Sequence, residues 1–514
     1  MTHRKSSPPP ILGHATRLAL VVGTLAGCGT APAPPAAEPT QAAPDARLQP
    51  PPFPAGPNPS AATRLDQRQT QRREIVEAVW RTVREKHFDP KLGGIDWDAV
   101  RRRYEPMALA APDDAAFYRT LNDMLGELGQ SHMMVTGPGA TDEEAGEPNP
   151  TDQPAAETDG ASQTGDPGLV VRIVDGRPTI TAVRPNSSAA KHGLAPGFVV
   201  TAIGGRPATA VASQRRSLRP VEERFAIRRA ILHRLQGRTR TKVTLDYIDN
   251  ADKPGQVLLE RDPPAGPVRQ IGYLPPLHPE ARVYETNGVG VIAFNVFLLD
   301  PLLDDIKRAV DRFVSHHVKG VILDLRGNPG GLGAMAIPVA SEFVGTPTTL
   351  GSMIMRDTTR TDAVTTFAQT FVAQPSLGRT PYLGPLVILT DEGTASASEI
   401  LAAGLQEAGR ARVVGDSSLG AVLPSVVASL PHGAVMQVVV ADFKTPKGIL
   451  LEGRGVQPDQ RVLETRSSYR AGRDPVMDAG MAAIATRGPD RAKPRTEGPS
   501  TDTKANAKTP PPGH

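Results

Sequence analysis

The stretch Pro385-Leu386-Val387-Ile388-Leu389, followed by Thr394-Ala395-Ser396-Ala397-Ser398-Glu399-Ile400, decides the reading of this chain. A short apolar run closed by a turn predicts a buried strand, and the small residues after it predict a helix running to about Ala408. Small side chains at 394–397 let a second backbone approach closely. The helix start offers free N–H groups and the positive end of the helix dipole. A Ser at that place can attack a carbonyl, with the following N–H available to the oxyanion. Ser is also among the commonest helix N-caps, so the feature acquires meaning only from what surrounds it.

Upstream, Asp324-Leu325-Arg326-Gly327-Asn328-Pro329-Gly330-Gly331 follows the apolar run 320–325. A strand ending in a Gly-rich turn presents unpaired N–H groups, suited to an anion, to a tight turn with positive φ, or to both. Residues 289–297 predict another strand. Asp300 and Pro301 predict the cap and first turn of a helix whose Leu302, Leu303, Ile306, Val310 and Phe313 face inward. Strand and helix alternate throughout 264–465, which predicts an α/β block with its chemistry at the strand ends.

Ahead of that block, residues 167–263 alternate short β runs (179–183, 198–203 and 242–248) with a helix near 221–235. Residues 65–135 are helical in pattern. Ile75, Val76, Val79, Trp80 and Val83 form one apolar face, and Phe117, Leu121, Met124, Leu125 and Leu128 form another. Ser131-His132 follows the second of these.

The 514 residues allow about three or four folded units. Lys and Arg number 58 against 54 Asp and Glu, a net charge of +4 that is too balanced for a nucleic-acid-binding surface. A single Cys excludes a disulfide framework and any multi-thiolate zinc site. No HExxH or phosphate loop appears, and His316-His317 sit at a helix end, so neither a metal nor a cofactor is expected. Pro (52) and Gly (49) together make about a fifth of the chain, which predicts long unfolded stretches.

His3-Arg4-Lys5 and Arg17, then the apolar run 18–25, then Ala26-Gly27-Cys28, have the layout of a secretory signal. The run is too short to span a bilayer. Residues 29–64 are an Ala/Pro-rich linker, 136–166 an acidic linker, and 466–514 a largely disordered tail. The expected fold is therefore multidomain α+β: an N-terminal helical region, a β-rich domain and an α/β core, with a disordered N-terminal linker and C-terminal tail.

Resemblances sharpen this. Leu25-Ala26-Gly27-Cys28 resembles the bacterial lipobox, which implies diacylation of Cys28 and a lipid anchor at the bacterial cell envelope, on the periplasmic side. Gly29, rather than Asp, after the Cys resembles outer-membrane sorting. Gly168-Leu169-Val170-Val171, with segments 183–190, 193–197 and 203–205, resembles a PDZ domain of the bacterial protease-associated type. That implies a peptide carboxylate on the N–H groups of Gly168, Leu169 and Val170, although Phe198 stands where the family usually has Asp.

The segments Phe88-Asp89-Pro90 to Trp97-Asp98, 117–132, 324–331, 394–399, 415–420 and Glu452-Gly453-Arg454-Gly455-Val456-Gln457-Pro458-Asp459 resemble, in order, the tail-specific (C-terminal processing) serine peptidases. In the best-known branch a Lys 25 positions after the Ser activates it; here that position is Ala421. Another branch, similar to tricorn protease and the nisin-resistance protein, takes a His from the helical region, and Ser131-His132 matches that placement. The resemblance implies Ser396 as nucleophile, His132 as base and then acid, and Glu452 as the orienting group, acting through Ser131. The Ala397 N–H and that of Gly330 or Gly331 would hold the oxyanion. An imidazole with pKa ~6.5 accepts a proton near neutrality without the desolvation a Lys needs. Lys444 and Lys447 are alternative bases only if the chain folds back unusually. The implied activity is an endopeptidase acting on accessible or unfolded polypeptides by an acyl-enzyme route. The rival is a catalytically silent relative that binds peptides or ligands as an envelope scaffold.

Overall fold

A computed structural model of the chain describes residues 61–138, 164–210, 218–264, 278–298, 302–357 and 365–486, with Arg269. The signal, Cys28, Asp300, Pro301, most of both linkers and residues 487–514 lie outside the described residues.

Three helices, Ala61–Lys86, Trp97–Leu109 and Asp114–Gly126, open the described chain. Asp96 and Asp113 cap the second and third, accepting from the Ala99 N–H at 2.9 Å and the Ala116 N–H at 2.6 Å. Val76, Val79 and Val83 meet Phe117, Leu121, Met124 and Leu125 in their core. The first helix begins inside the segment assigned to the 29–64 linker, because its apolar face starts only later and leaves the first turns polar. The strand Met134–Thr136 then pairs antiparallel with Val435–Val439, which also pairs with Ser425–Ser429. Met436 and Val438 join the helical core, so this region is sealed by strands from the far end of the sequence.

The β-rich domain places Leu169–Val174, Arg177–Val183, Val199–Ile203, Lys242–Ile248 and Pro254–Glu260 side by side in that order, all antiparallel. The helix Pro220–Leu235 packs Ile231 and Leu235 onto Val171, Val243 and Leu245. The domain closes on its own ends: Thr164–Gly165 pairs with Gly237–Arg238, and Asp166 exchanges two main-chain hydrogen bonds with Asp262. The end of the expected 136–166 linker is therefore part of the domain, since an edge this short is stable only when paired.

The core block carries a six-stranded sheet in the order Ala281–Thr286, Val289–Phe294, Gly320–Asp324, Leu386–Thr390, Arg412–Gly415, Gln460–Arg461. The first pair is an antiparallel hairpin and the rest are parallel. Parallel strands are buried on both faces, so both must be covered. The helices Leu302–Ser315, Ala336–Ser341 and Ala397–Glu407 cover one, against Val321, Leu323, Leu386 and Ile388. The other face shows Val291, Ile322, Val387 and Leu389, and its cover comes from the segment 466–486, which the sequence reading placed in a disordered tail. That segment forms the helices Arg466–Arg470 and Pro475–Thr486, with Val476, Ala483 and Ile484 buried. Gly480 brings the second helix close: a Cβ there would sit 3.0 Å from Leu389 Cδ2.

The same segment completes a buried ion cluster beneath the Gly-rich turn. The Arg326 guanidinium donates to both oxygens of Asp324 (2.8 and 2.7 Å) and both of Asp474 (2.9 and 2.8 Å). Arg172 and Arg228 of the β-rich domain reach Asp391, at 3.4 and 2.9 Å, and Arg172 also reaches Glu464 at 3.0 Å. Burial pushes the Asp474 carboxyl up, but the facing Arg326 outweighs it and holds the group at about 2.

Three outcomes are expected. Arg326→Met leaves two carboxylates without their partner and lowers stability by about 3–5 kcal/mol in urea unfolding. The Asp474 contribution is fully present above its unfolded value of about 4 and is lost as pH falls through about 2, so unfolding midpoints should decline across that window. A chain ended at Thr465 uncovers one sheet face and should be recovered only as aggregate; a soluble, cooperatively melting product would overturn this role for 466–486.

Candidate active site

The strand Leu386–Thr390 leads into a turn that delivers Ser396 to the start of the helix Ala397–Glu407. Ser396 has φ 54° and ψ −120°, a conformation that side chains other than Gly rarely adopt. A strained Ser on a sharp strand-to-helix turn is how a hydroxyl is held clear of its own backbone for attack. The turn is over-determined. Thr394 Oγ1 donates to the Leu325 carbonyl at 2.8 Å, and the Ala395 N–H to the Asn328 carbonyl at 3.1 Å. The Ser396 N–H donates to the Ala421 carbonyl and to Glu399 Oε2, both at 2.9 Å.

The Gly-rich turn lies directly against it. A Cβ on Gly330 would stand 2.7 Å from Ser396 Cβ and 2.8 Å from the Ala397 nitrogen, so only Gly fits. Asn328, fully buried, sets this turn: Nδ2 donates to the Phe294 carbonyl at 2.8 Å and Oδ1 accepts from the Gly330 N–H at 2.9 Å. The expected choice between Gly330 and Gly331 as oxyanion donor is thereby narrowed, because the Gly330 N–H is already engaged. Among the described residues nothing accepts from the Ala397 or Gly331 N–H.

Ser131, His132 and Glu452 come together from opposite ends of the chain. Glu452 accepts from the Ser131 N–H at 2.8 Å, the Ser131 hydroxyl at 3.0 Å and the Val422 N–H at 3.0 Å. The Ser131 oxygen lies 2.8 Å from His132 Nδ1. A carboxylate only accepts, so the single hydroxyl proton goes to Glu452, and the Ser131 oxygen is left to accept from Nδ1–H. This assignment leaves the Nε2 lone pair free. Burial lowers the His132 pKa to about 4, so the ring is neutral at pH 7.

Ser396 and His132 make no hydrogen bond to each other, but one strap of main chain serves both. Ala421 accepts from Ser396, and the next residue, Val422, donates to Glu452. Lys447 is exposed and Lys444 lies in the strand Ala441–Lys444; neither is bonded to Ser396. In the β-rich domain the Gly168 N–H donates to Asp166 Oδ1 at 2.6 Å, so Gly168 is not a free donor for a peptide carboxylate, contrary to expectation. Leu169 is buried in that domain's core and Val170 is half-buried. The sequence reading missed Asn328 and Glu399 as organisers. The Ser-x-x-Glu spacing at a helix start was the available signal for Glu399.

No group of His, Cys, Asp and Glu among the described residues could hold a metal, and no described helix is long and apolar enough to cross a membrane. Residues 288–462 match the model of peptidase family S41, and residues 68–126 match that of the tricorn protease C1 domain. A carboxyl-terminal-processing protease of Synechocystis is 27% identical over 406 residues, covering 78% of this chain and 83% of that one. The chloroplastic carboxyl-terminal-processing peptidase 3 of Arabidopsis thaliana is 28% identical over 401 residues, covering 76% and 68%. The structure of mature CPAF complexed with lactacystin shares the fold, with a TM-score of 0.55 over 81% of this chain and 98% of that one at 15% identity. Two matching domain models, relatives aligned over most of their length and a Ser-bearing strand-to-helix turn beside a Gly-rich loop agree: residues 288–462 form a peptidase family S41 domain, and the chain is a serine-type peptidase similar to the carboxyl-terminal-processing proteases.

Proposed function

We propose that the hydrolysis is carried by a Ser396–His132 pair, oriented by Glu452 through Ser131, and that it acts on accessible or unfolded polypeptides in the bacterial cell envelope. The observation that carries this reading is the Glu452–Ser131–His132 chain, which fixes the imidazole tautomer and ends on the strap that also holds Ser396. Ser396 Oγ attacks the scissile carbonyl while His132 Nε2 takes its proton. The carbonyl oxygen, now negative, is received by the Ala397 and Gly331 N–H groups. The imidazolium is stabilised by the Ser131 oxygen and the Glu452 charge behind it, and gives its proton to the leaving amine as the C–N bond breaks. Water, deprotonated by the same nitrogen, then releases the acyl group and restores Ser396.

The β-rich domain is assigned a PDZ-like recruiting role. Leu169–Val174 is an edge strand flanked by the helix Pro220–Leu235, the arrangement in which an extended peptide adds as a further strand. Lipidation of Cys28 would hold the enzyme on the membrane, with the polypeptide substrate as its partner and no cofactor in the chemistry. The rival, a silent peptide-binding scaffold, draws on Ala421 and on the missing Ser396–His132 hydrogen bond. Such bonds often tighten only when substrate is present.

Incubation of the purified protein with an unstructured protein separates the two. Cleavage by wild type, falling more than ~10³-fold in both Ser396→Ala and His132→Ala, is the expected result. Ser131→Ala, which removes the oxygen between ring and carboxylate, should cost about 10²-fold in kcat. Undiminished cleavage by His132→Ala removes the base from this scheme, and an inert wild type supports the scaffold.

A further inference from the structure

Glu399 is fully buried in the first turn of the helix Ala397–Glu407, and four donors converge on its carboxylate. Oε1 accepts from the Ser418 hydroxyl at 2.6 Å and the Gly420 N–H at 2.7 Å. Oε2 accepts from the Ser396 N–H at 2.9 Å and the Ala421 N–H at 3.0 Å. Two of these donors belong to the strap, and one is the main chain of the nucleophile itself. The next strap residue after Ala421 is Val422, whose N–H is on Glu452. Ser418 is held in turn by the Val456 N–H at 2.6 Å, beyond the Glu452 turn.

Three N–H groups and one hydroxyl proton are directed at this group, and only the carboxylate accepts all four. A proton on Oε2 would set an O–H against the Ser396 and Ala421 N–H groups. A proton on Oε1 would oppose the Gly420 N–H and oblige the Ser418 hydroxyl to reverse its bond from donor to acceptor. Either event loosens the strap from the nucleophile turn.

No charged side chain is bonded to the carboxylate. On the surrounding elements the ionisable groups are Arg219, which donates to the Leu419 and Gly453 carbonyls, Arg454, Glu452 and His132. Arg412, on the neighbouring strand Arg412–Gly415, and Arg356 and Asp357, on the strand Thr348–Asp357, belong to elements that pack against the same helix.

We propose that Glu399 is a positioning residue whose carboxylate keeps the nucleophile turn and the Glu452–Ser131–His132 chain in register across the strap, so that its ionisation sets the acid limb of activity. The inference rests on the Ser396–His132 reading and adds a group to it. Burial pushes the Glu399 carboxyl up to about 7 against the pull of its four donors, whereas His132 is already neutral above about 4. The two groups therefore titrate in separate windows. Activity should rise with pH through about 7, although the base is available well below that.

The test is the pH dependence of kcat and KM, from pH 5 to 9, for the full chain and a peptide reporter. Wild type should show an acid limb centred near 7. Glu399→Gln should lose about 10²-fold in kcat with little change in KM, and its residual activity should keep no inflection near 7. Glu399→Asp, still a carboxylate, should restore a limb. Ser418→Ala removes one donor to the charged form and should move the wild-type limb upward by about one pH unit, a readout that does not depend on Glu399→Gln folding. An active wild type with an unmoved limb in Ser418→Ala, or Glu399→Gln with the wild-type kcat and limb, overturns this proposal alone. Equal silence of wild type and Ser396→Ala at every pH overturns the Ser396 reading and this proposal with it.

Discussion

Two carboxylates grip one short length of main chain, and the site depends on that grip. Glu399 takes the N–H groups of Gly420 and Ala421, and Glu452 takes that of Val422. Glu399 is fixed to the nucleophile helix, and Glu452 reaches the helical region through Ser131. Ser131 and Ser396, 265 positions apart, are thereby referred to a common ruler of three peptide units. Charge-assisted bonds of this kind are short and directional, so the ruler is stiff. A strained Ser396 persists because its neighbours leave it no other place: its N–H is shared between Ala421 and Glu399, and its Cβ lies against Gly330.

A second tier supports the first. Asp391 Oδ1 accepts from the Gly327 N–H at 2.7 Å and the Gly393 N–H at 2.9 Å, binding the Gly-rich turn to the Ser-bearing turn. Its other oxygen faces Arg228 and Arg172 of the β-rich domain. Burial raises the Asp391 carboxyl, and the two guanidinium groups more than offset that, leaving it below the ordinary range. Buried ion pairs contribute little net stability when compared with apolar packing, yet they are costly to break on one side. Here their arrangement fixes direction: Arg172 spans two chain segments, meeting Asp391 and Glu464, which apolar contacts of the same area would allow to slide.

Much of this was legible because it was periodic or chemically coded. Apolar runs such as Leu386–Thr390 announce a doubly buried strand, and Ser131-His132 with Glu452 could be placed by resemblance before any distance was known. What escaped had physical causes. The segment 466–486 is rich in Ala and Gly and carries few large apolar residues, so it looks like tail; it is helical because the sheet face above it needs a thin cover, which Gly480 and Ala483 supply. The Gly330 N–H looked as available as that of Gly331 until Asn328 was seen to occupy it. Sequence shows which donors exist, but whether a donor is spent depends on a side chain folded back by two residues.

The missing Lys can be understood in the same terms. Residue 421 contributes to the site through its peptide group: its N–H goes to Glu399 and its carbonyl receives Ser396. Neither contact requires any particular side chain, so the strap can keep its structural work whether or not it also carries a base. In the proposed scheme, with His132 as the base, an ammonium on the strap would be a second cation near the imidazolium formed during the reaction, and would oppose it. Ala at this position removes that repulsion and leaves the backbone ruler intact. Exchange of the base between strap and helical region is thus permitted by a nucleophile turn whose geometry is held by main-chain groups and Glu399, none of which belongs to the base.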